Sequence, residues 1–144
     1  HLNEGHCAFA LLERKRERIE EDGLDFHQAW ISTARQTCFT THTPVPAGPD
    51  RFGAELMEKH LGWMREKLRL DHKGLMGLGR EHFDDEGEPF TMTVLCLRGS
   101  AKHNGVSNLH GKVSRDIAQT IAGMERDALK RARKPVHERC VQLV

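Results

Sequence analysis

Apolar residues recur at helical spacing through the first quarter of the chain. Ala8, Leu11, Leu12 and Ile19 fall on one face of a helix predicted over residues 7–22, which also carries Arg16 and Glu20 as a charge pair four apart. Lys15 interrupts that stripe and lowers its amphipathic quality, and Gly23 supplies the stop. A second helix is predicted over residues 25–35, with Phe26, Ala29, Trp30 and Thr33 as its buried face. Residues 37–41, β-branched and aromatic, then read as a short strand. It runs into Thr43-Pro44-Val45-Pro46-Ala47-Gly48-Pro49-Asp50, where three prolines and a glycine forbid regular structure and leave a stiff loop.

Helical spacing returns over residues 51–67, with Phe52, Leu56, Leu61 and Met64 as expected core contacts. A polar, glycine-punctuated stretch follows to Pro89, with a short helix expected near residues 75–80. Residues 90–97 are ambiguous, because Thr91, Thr93 and Val94 favour strand while Met92, Leu95 and Cys96 equally fill a buried helix. Asn104-Gly105 has the chemistry of a tight turn. Ser107 then caps a predicted helix to Met124, with Leu109, Val113, Ile117 and Ile121 four apart. Helix, strand, loop and helix alternate, so the fold class is α/β with part of a parallel sheet.

Composition narrows the function classes. The chain has 144 residues, 22 Lys plus Arg against 21 Asp plus Glu, and a formal charge of +1, so the electrostatic case for nucleic-acid binding is missing. No apolar run approaches membrane-spanning length. Cys7, Cys38, Cys96 and Cys140 are scattered without a Cys-x-x-Cys pair, which suits a reducing, cytoplasmic setting. No signal peptide is expected, and a chain that opens on His1-Leu2-Asn3 reads as a piece of something longer. Of the ten histidines, His1, His6 and Cys7 come nearest to a metal-ligand spacing, but nothing resembles His-Glu-x-x-His, so no metal is expected. From Lys112 onward eight basic residues face four acidic ones; without interleaved aromatics, Lys130-Arg131-Ala132-Arg133-Lys134 is read as a solvated helix end.

Two polar segments carry candidate chemistry. Thr41-His42-Thr43 lies where a strand breaks into the proline loop, the strand edge at which open α/β sheets place ligands. Asn3-Glu4-Gly5-His6 has the same character, immediately ahead of a helix. A backbone carbonyl, an imidazole and two hydroxyls at the Thr41-His42-Thr43 edge suit hydrogen bonding to a polyhydroxylated ligand.

His1-Leu2-Asn3-Glu4-Gly5-His6-Cys7-Ala8-Phe9 and Phe39-Thr40-Thr41-His42-Thr43-Pro44-Val45-Pro46-Ala47-Gly48 together resemble the α-glucan (glycogen/maltodextrin) phosphorylases, in their shorter bacterial and archaeal form. Leu78-Gly79-Arg80-Glu81, Phe90-Thr91-Met92-Thr93-Val94-Leu95 and Asn104-Gly105-Val106-Ser107-Asn108-Leu109-His110-Gly111 agree in the same order. Five ordered segments are specific in a way no single motif is. The resemblance fades after Asp116, so residues 1–116 read as a segment of the family's N-terminal lobe and 117–144 as a divergent basic helical tail.

The resemblance implies part of a Rossmann-like lobe in a two-lobe glycosyltransferase fold, an incomplete parallel sheet with flanking helices. It turns residues 90–97 toward a buried helix followed by a strand around 104–106, and makes Asn104 and Gly105 structural. The implied activity is transfer of a glucosyl unit from the non-reducing end of an α-1,4-glucan to inorganic phosphate, giving glucose 1-phosphate. His42 matches the histidine against the transferred glucosyl unit, its carbonyl placed to stabilise developing positive charge. Thr43 follows in the same loop; Glu4 (aspartate in many relatives) and His6 match residues lining the pocket, and Asn3 belongs to the same motif. The family's pyridoxal phosphate is held by a lysine with no counterpart here, so the chain alone is expected to be inactive and without cofactor. Uncovered sheet edges would invite association with a second copy. The alternative is a non-catalytic α/β module that contacts carbohydrate or another protein.

Overall fold

The computed structural model describes residues 1–42 and 50–105. Thr43, the proline loop, the expected helix from Ser107, the basic tail and the boundary near Asp116 lie outside the described residues. The elements run β1 (Leu2–Asn3), a 3-10 turn (Gly5–Cys7), α1 (Phe9–Glu21), α2 (Phe26–Arg35), β2 (Cys38–Thr41), β3 (Arg51–Phe52), α3 (Ala54–Lys67), α4 (His72–Gly77), β4 (Phe90–Thr91), α5 (Met92–Arg98) and β5 (Lys102–Gly105).

Local chemistry explains the helix ends. Gly23 takes φ +69°, a left-handed turn that suits glycine, and the Leu24 N–H donates back to the Arg18 carbonyl. Asp25 then opens α2 with a reciprocal cap: its carboxylate accepts from the Gln28 N–H, and the Gln28 side chain accepts from the Asp25 N–H. Asp71 caps α4 through the Gly74 N–H. On the exposed side of α1, Arg16 pairs with Glu13 and Glu20, and Glu20 also meets Lys67 of α3 at 2.9 Å. Such exposed pairs contribute only about 0–1 kcal/mol each.

Strands β1, β2 and β5 form a parallel sheet with β2 in the middle, aligned Leu2↔Phe39, Asn3↔Thr40, Phe39↔His103 and Thr40↔Asn104. Parallel strands need crossover connections, and α1 with α2 supplies the one from β1 to β2. Because side chains alternate along a strand, Leu2, Phe39 and His103 share one face and Asn3, Thr40 and Asn104 the other. Leu2 and Phe39 join the core, and His103 Nε2 reaches the Leu97 carbonyl of α5. Helix α5 is buried through Met92, Val94, Leu95, Cys96 and Leu97. Burial pushes the Cys96 thiol up to about 12, which makes it an inert core group. A mixed α/β arrangement with a parallel sheet flanked by helices agrees with the expected Rossmann-like lobe.

Four expectations need correction. Lys15 does not break the apolar stripe of α1 but lies within it, 0% exposed, with Nζ 4.2 Å from the centre of the Trp30 ring. Residues 51 and 52 are strand, because Phe52 pairs with Phe90 and stacks on Phe9 before Gly53 starts α3. Leu56 is 47% exposed and Met57 takes its core position, because Met57, Leu61, Met64 and Leu68 share one helical face and Leu56 lies off it. Asn104-Gly105 is not the turn its local chemistry favours; both residues pair with β2, in line with the strand that the resemblance placed around 104–106. The strand β1 was not anticipated at all, since two residues carry no alternation to read.

Burial lowers the Lys15 ammonium to about 8. Between that value and its ordinary 10.5 the unfolded chain holds a proton the folded chain has lost, so stability rises with pH across that window. Below it the buried charge costs up to about 3 kcal/mol, partly offset by the cation–π contact. Lys15→Met should therefore gain about 1–3 kcal/mol at pH 7 and flatten the alkaline rise, measured by urea unfolding at several pH values. Gly79 faces the Phe90 ring so closely that a Cβ would lie 2.5 Å from it. Gly79→Ala should cost about 1–3 kcal/mol by overpacking, visible as a lower urea midpoint.

Candidate functional site

Parallel pairing puts the carboxyl ends of β1 and β2 side by side, so Asn3 and Glu4 lie next to Thr40, Thr41 and His42. The Glu4 N–H donates to the Thr40 carbonyl at 2.9 Å. In the other direction, one Glu4 carboxylate oxygen accepts from the Thr41 hydroxyl at 3.2 Å and the other from the His42 N–H at 2.5 Å. His42 Nε2 lies 2.6 Å from Asn3 Oδ1. An amide oxygen only accepts, so this contact assigns the ring hydrogen to Nε2 and leaves Nδ1 as the acceptor of the neutral imidazole. Asn3 and His42 are exposed and Glu4 is half-buried, so the cluster opens to solvent.

A polar layer supports this cluster on the same sheet face. The nearly buried Thr40 hydroxyl donates to Asn104 Oδ1 at 2.6 Å, and His1 Nε2 lies 2.7 Å from the same hydroxyl oxygen. A hydroxyl has one hydrogen to give, so His1 Nε2 donates. Cys38 Sγ also reaches Asn104 Oδ1 at 3.7 Å. Glu4 itself has φ 79° and ψ 167°, a region that is nearly glycine's alone and costs on the order of 1–3 kcal/mol for other residues. Directly after it, the 3-10 turn docks Gly5 against α5, where an added Cβ would stand 3.1 Å from the Thr93 hydroxyl.

Of the residues singled out in the sequence, Asn3, Glu4 and His42 come together through hydrogen bonds. His6 is exposed on the turn two residues beyond Glu4, and among the described residues no hydrogen bond ties it to the other three. Thr43 lies outside the described residues. Sequence reasoning missed the supporting pair Thr40 and Asn104, and read His1 only as a metal candidate. Only the register of three strands could have joined them.

Among the described residues, the grouping whose donor atoms lie close enough to share a metal ion is His82, Asp85 and Glu88, on the loop between α4 and β4. These groups already close that loop. Glu88 accepts from the His82 N–H and ring, which raises the His82 imidazole, and Asp85 accepts from the Gly87 N–H. The buried Arg80 holds the same loop through the Glu86 and Glu88 carbonyls. Their role is loop closure.

No family model matches the chain. Individual proteins do. The chain is 40% identical over 134 residues to a glycogen phosphorylase of Mycobacterium tuberculosis, which covers 88% of this chain and 15% of that protein. It is 45% identical over 117 residues to a maltodextrin phosphorylase of Thermococcus litoralis, with 81% of this chain and 13% of that protein covered. It is 29% identical over 128 residues to the brain form of glycogen phosphorylase of Bos taurus, with 79% and 15% covered. The chain spans about 15% of the length of such relatives, and it is homologous to that one segment of the glycogen and maltodextrin phosphorylases.

Proposed function

We propose that Asn3, Glu4 and His42 form part of one wall of an α-1,4-glucan site, in a protein that transfers a terminal glucosyl unit to inorganic phosphate and releases glucose 1-phosphate. The observation that carries this reading is the hydrogen-bonded joining of Asn3 and Glu4 to His42 across two parallel strand ends, in a chain homologous to phosphorylases. His6, exposed on the adjoining turn, and Thr43, next in the chain after His42, are assigned to the same ligand by sequence position alone.

In this reading the cluster orients and stabilises and forms no covalent bond. Breaking a glycosidic bond develops positive charge at the sugar's anomeric carbon, and a carbonyl fixed in advance stabilises that charge without reorganising. The His42 carbonyl has that role, and Nδ1 of its ring offers an acceptor to a sugar hydroxyl. Glucan and phosphate are the substrates, and the remaining contacts come from outside this segment.

Pyridoxal phosphate is the cofactor implied by the resemblance, and the residues here do not fit it. The cluster contains no lysine, and the buried lysine of the described residues, Lys15, has its ammonium against the Trp30 ring with no exposed surface. No step is therefore routed through the cofactor. No helix among the described residues is long and apolar enough to cross a membrane.

A chimera tests the proposal: this chain replaces the corresponding segment of the Thermococcus litoralis maltodextrin phosphorylase. Glucose 1-phosphate release from maltodextrin and phosphate should persist, and His42→Ala, which keeps the main-chain carbonyl but removes the ring acceptor and its Asn3 anchor, should lower kcat/KM by about tenfold at unchanged melting temperature, the loss of one hydrogen bond. The 144-residue chain alone should release none. Full rate in the His42→Ala chimera, or turnover by the chain alone, would contradict the assignment.

A further inference from the structure

Glu4 combines two properties that contact with a sugar does not explain. Its backbone occupies a conformation side-chain-bearing residues avoid, and both oxygens of its carboxylate point back onto its own protein. Strain of that kind persists only where surrounding interactions hold it. Here they are concentrated on one neighbour: Thr40 and Thr41 of β2 and His42 just after it each share one hydrogen bond with Glu4. The Thr40 carbonyl takes its N–H, the Thr41 hydroxyl gives to Oε1, and the His42 N–H gives to Oε2.

Two of these bonds involve a charged acceptor, and such bonds are shorter and roughly twice as strong as neutral ones. The 2.5 Å contact to the His42 N–H is the shortest of the three. It falls at the residue where regular pairing of β2 has ended, so among the described residues no strand bond fixes that peptide. Asn3, one residue earlier, holds the ring of the same histidine. The main chain and side chain of His42 are thus held by different residues of β1 and its end.

We propose that Glu4 is a positioning residue: its carboxylate clamps the Thr41–His42 peptide, so that His42 meets its ligand in one fixed orientation, and Glu4 acts through His42 instead of gripping the sugar itself. The purpose of the clamp rests on the glucan reading of His42, whereas its existence does not. A conformation reserved for glycine is accepted at Glu4 because only a residue with a carboxylate supplies the hold.

Backbone amide hydrogen exchange in the 144-residue protein, read by 1H–15N NMR, tests the clamp directly. Glu4→Gly removes the carboxylate while relieving the strain, so the melting temperature should hold or rise. The His42 amide should nevertheless exchange about tenfold faster or more, the factor expected from losing a charge-assisted hydrogen bond. Asn3→Ala should free the His42 ring signals and leave the His42 amide protected. Unchanged His42 exchange in Glu4→Gly overturns the proposal. So does equal loss in both variants, because the strand end would then be loosening as a whole. Should Glu4→Gly fail to fold, Glu4→Gln decides: same length and no charge, with exchange between wild type and a free amide expected, and wild-type exchange overturning the clamp. The chimera separates the two readings: turnover indifferent to His42→Ala beside a Glu4-dependent His42 amide removes the glucan site and keeps the clamp, whereas His42-dependent turnover with an amide indifferent to Glu4 does the reverse.

Discussion

The parallel pairing of Leu2 with Phe39 and Asn3 with Thr40 is the constraint on which the rest of the structure turns. Two residues of strand are too few to be stable alone, and their hold comes from Leu2 entering the same core as Phe39. Once that register is set, alternation along the strands distributes everything else. Leu2, Phe39 and His103 go to the helix side, while Asn3, Thr40, Asn104 and His42 share the opposite face. A slip of one residue would exchange those faces, burying Asn3 and Thr40 against α5 and turning Phe39 to water.

That constraint also explains why the polar cluster is tied together. Thr40 is nearly buried, and its hydroxyl would be costly without partners. Asn104 and His1 satisfy it from the two neighbouring strands. The layer beneath His42 is thus held from both sides, and the cluster above it inherits that rigidity. Glu4 adds strain at the edge of this layer. The proposed glucan site would use such a polar strand end, since stabilising charge that develops during bond breakage requires groups fixed beforehand.

Lys15 illustrates how tertiary contacts override a local pattern. A lysine on an apolar stripe reads as a defect in α1, yet its stem packs among core residues while its ammonium lies against Trp30 of α2. Aromatic faces attract cations, and an ammonium without a carboxylate partner can be tolerated there. Nothing in the spacing of residues 7–22 signals that the next helix will bring an indole to that place.

Helices α1 and α2 and the strand β2 were legible in the sequence because their signals lie within a few residues: apolar spacing in α1 and α2, the Gly23 stop, and the β-branched and aromatic run of β2. The five ordered segments likewise pointed to the phosphorylases, and Asn3, Glu4 and His42 were visible as polar residues at element ends. What only the tertiary structure decided is that these three touch. Asn3 and His42 are 39 residues apart, and a contact of that range depends on strand register, which no local period encodes. The same nonlocal pairing made a strand of Asn104-Gly105, whose local chemistry favours a turn, and held Glu4 in a conformation its own side chain disfavours. Local preferences amount to about 1 kcal/mol per residue, and the joint burial and pairing of several strands exceeds them.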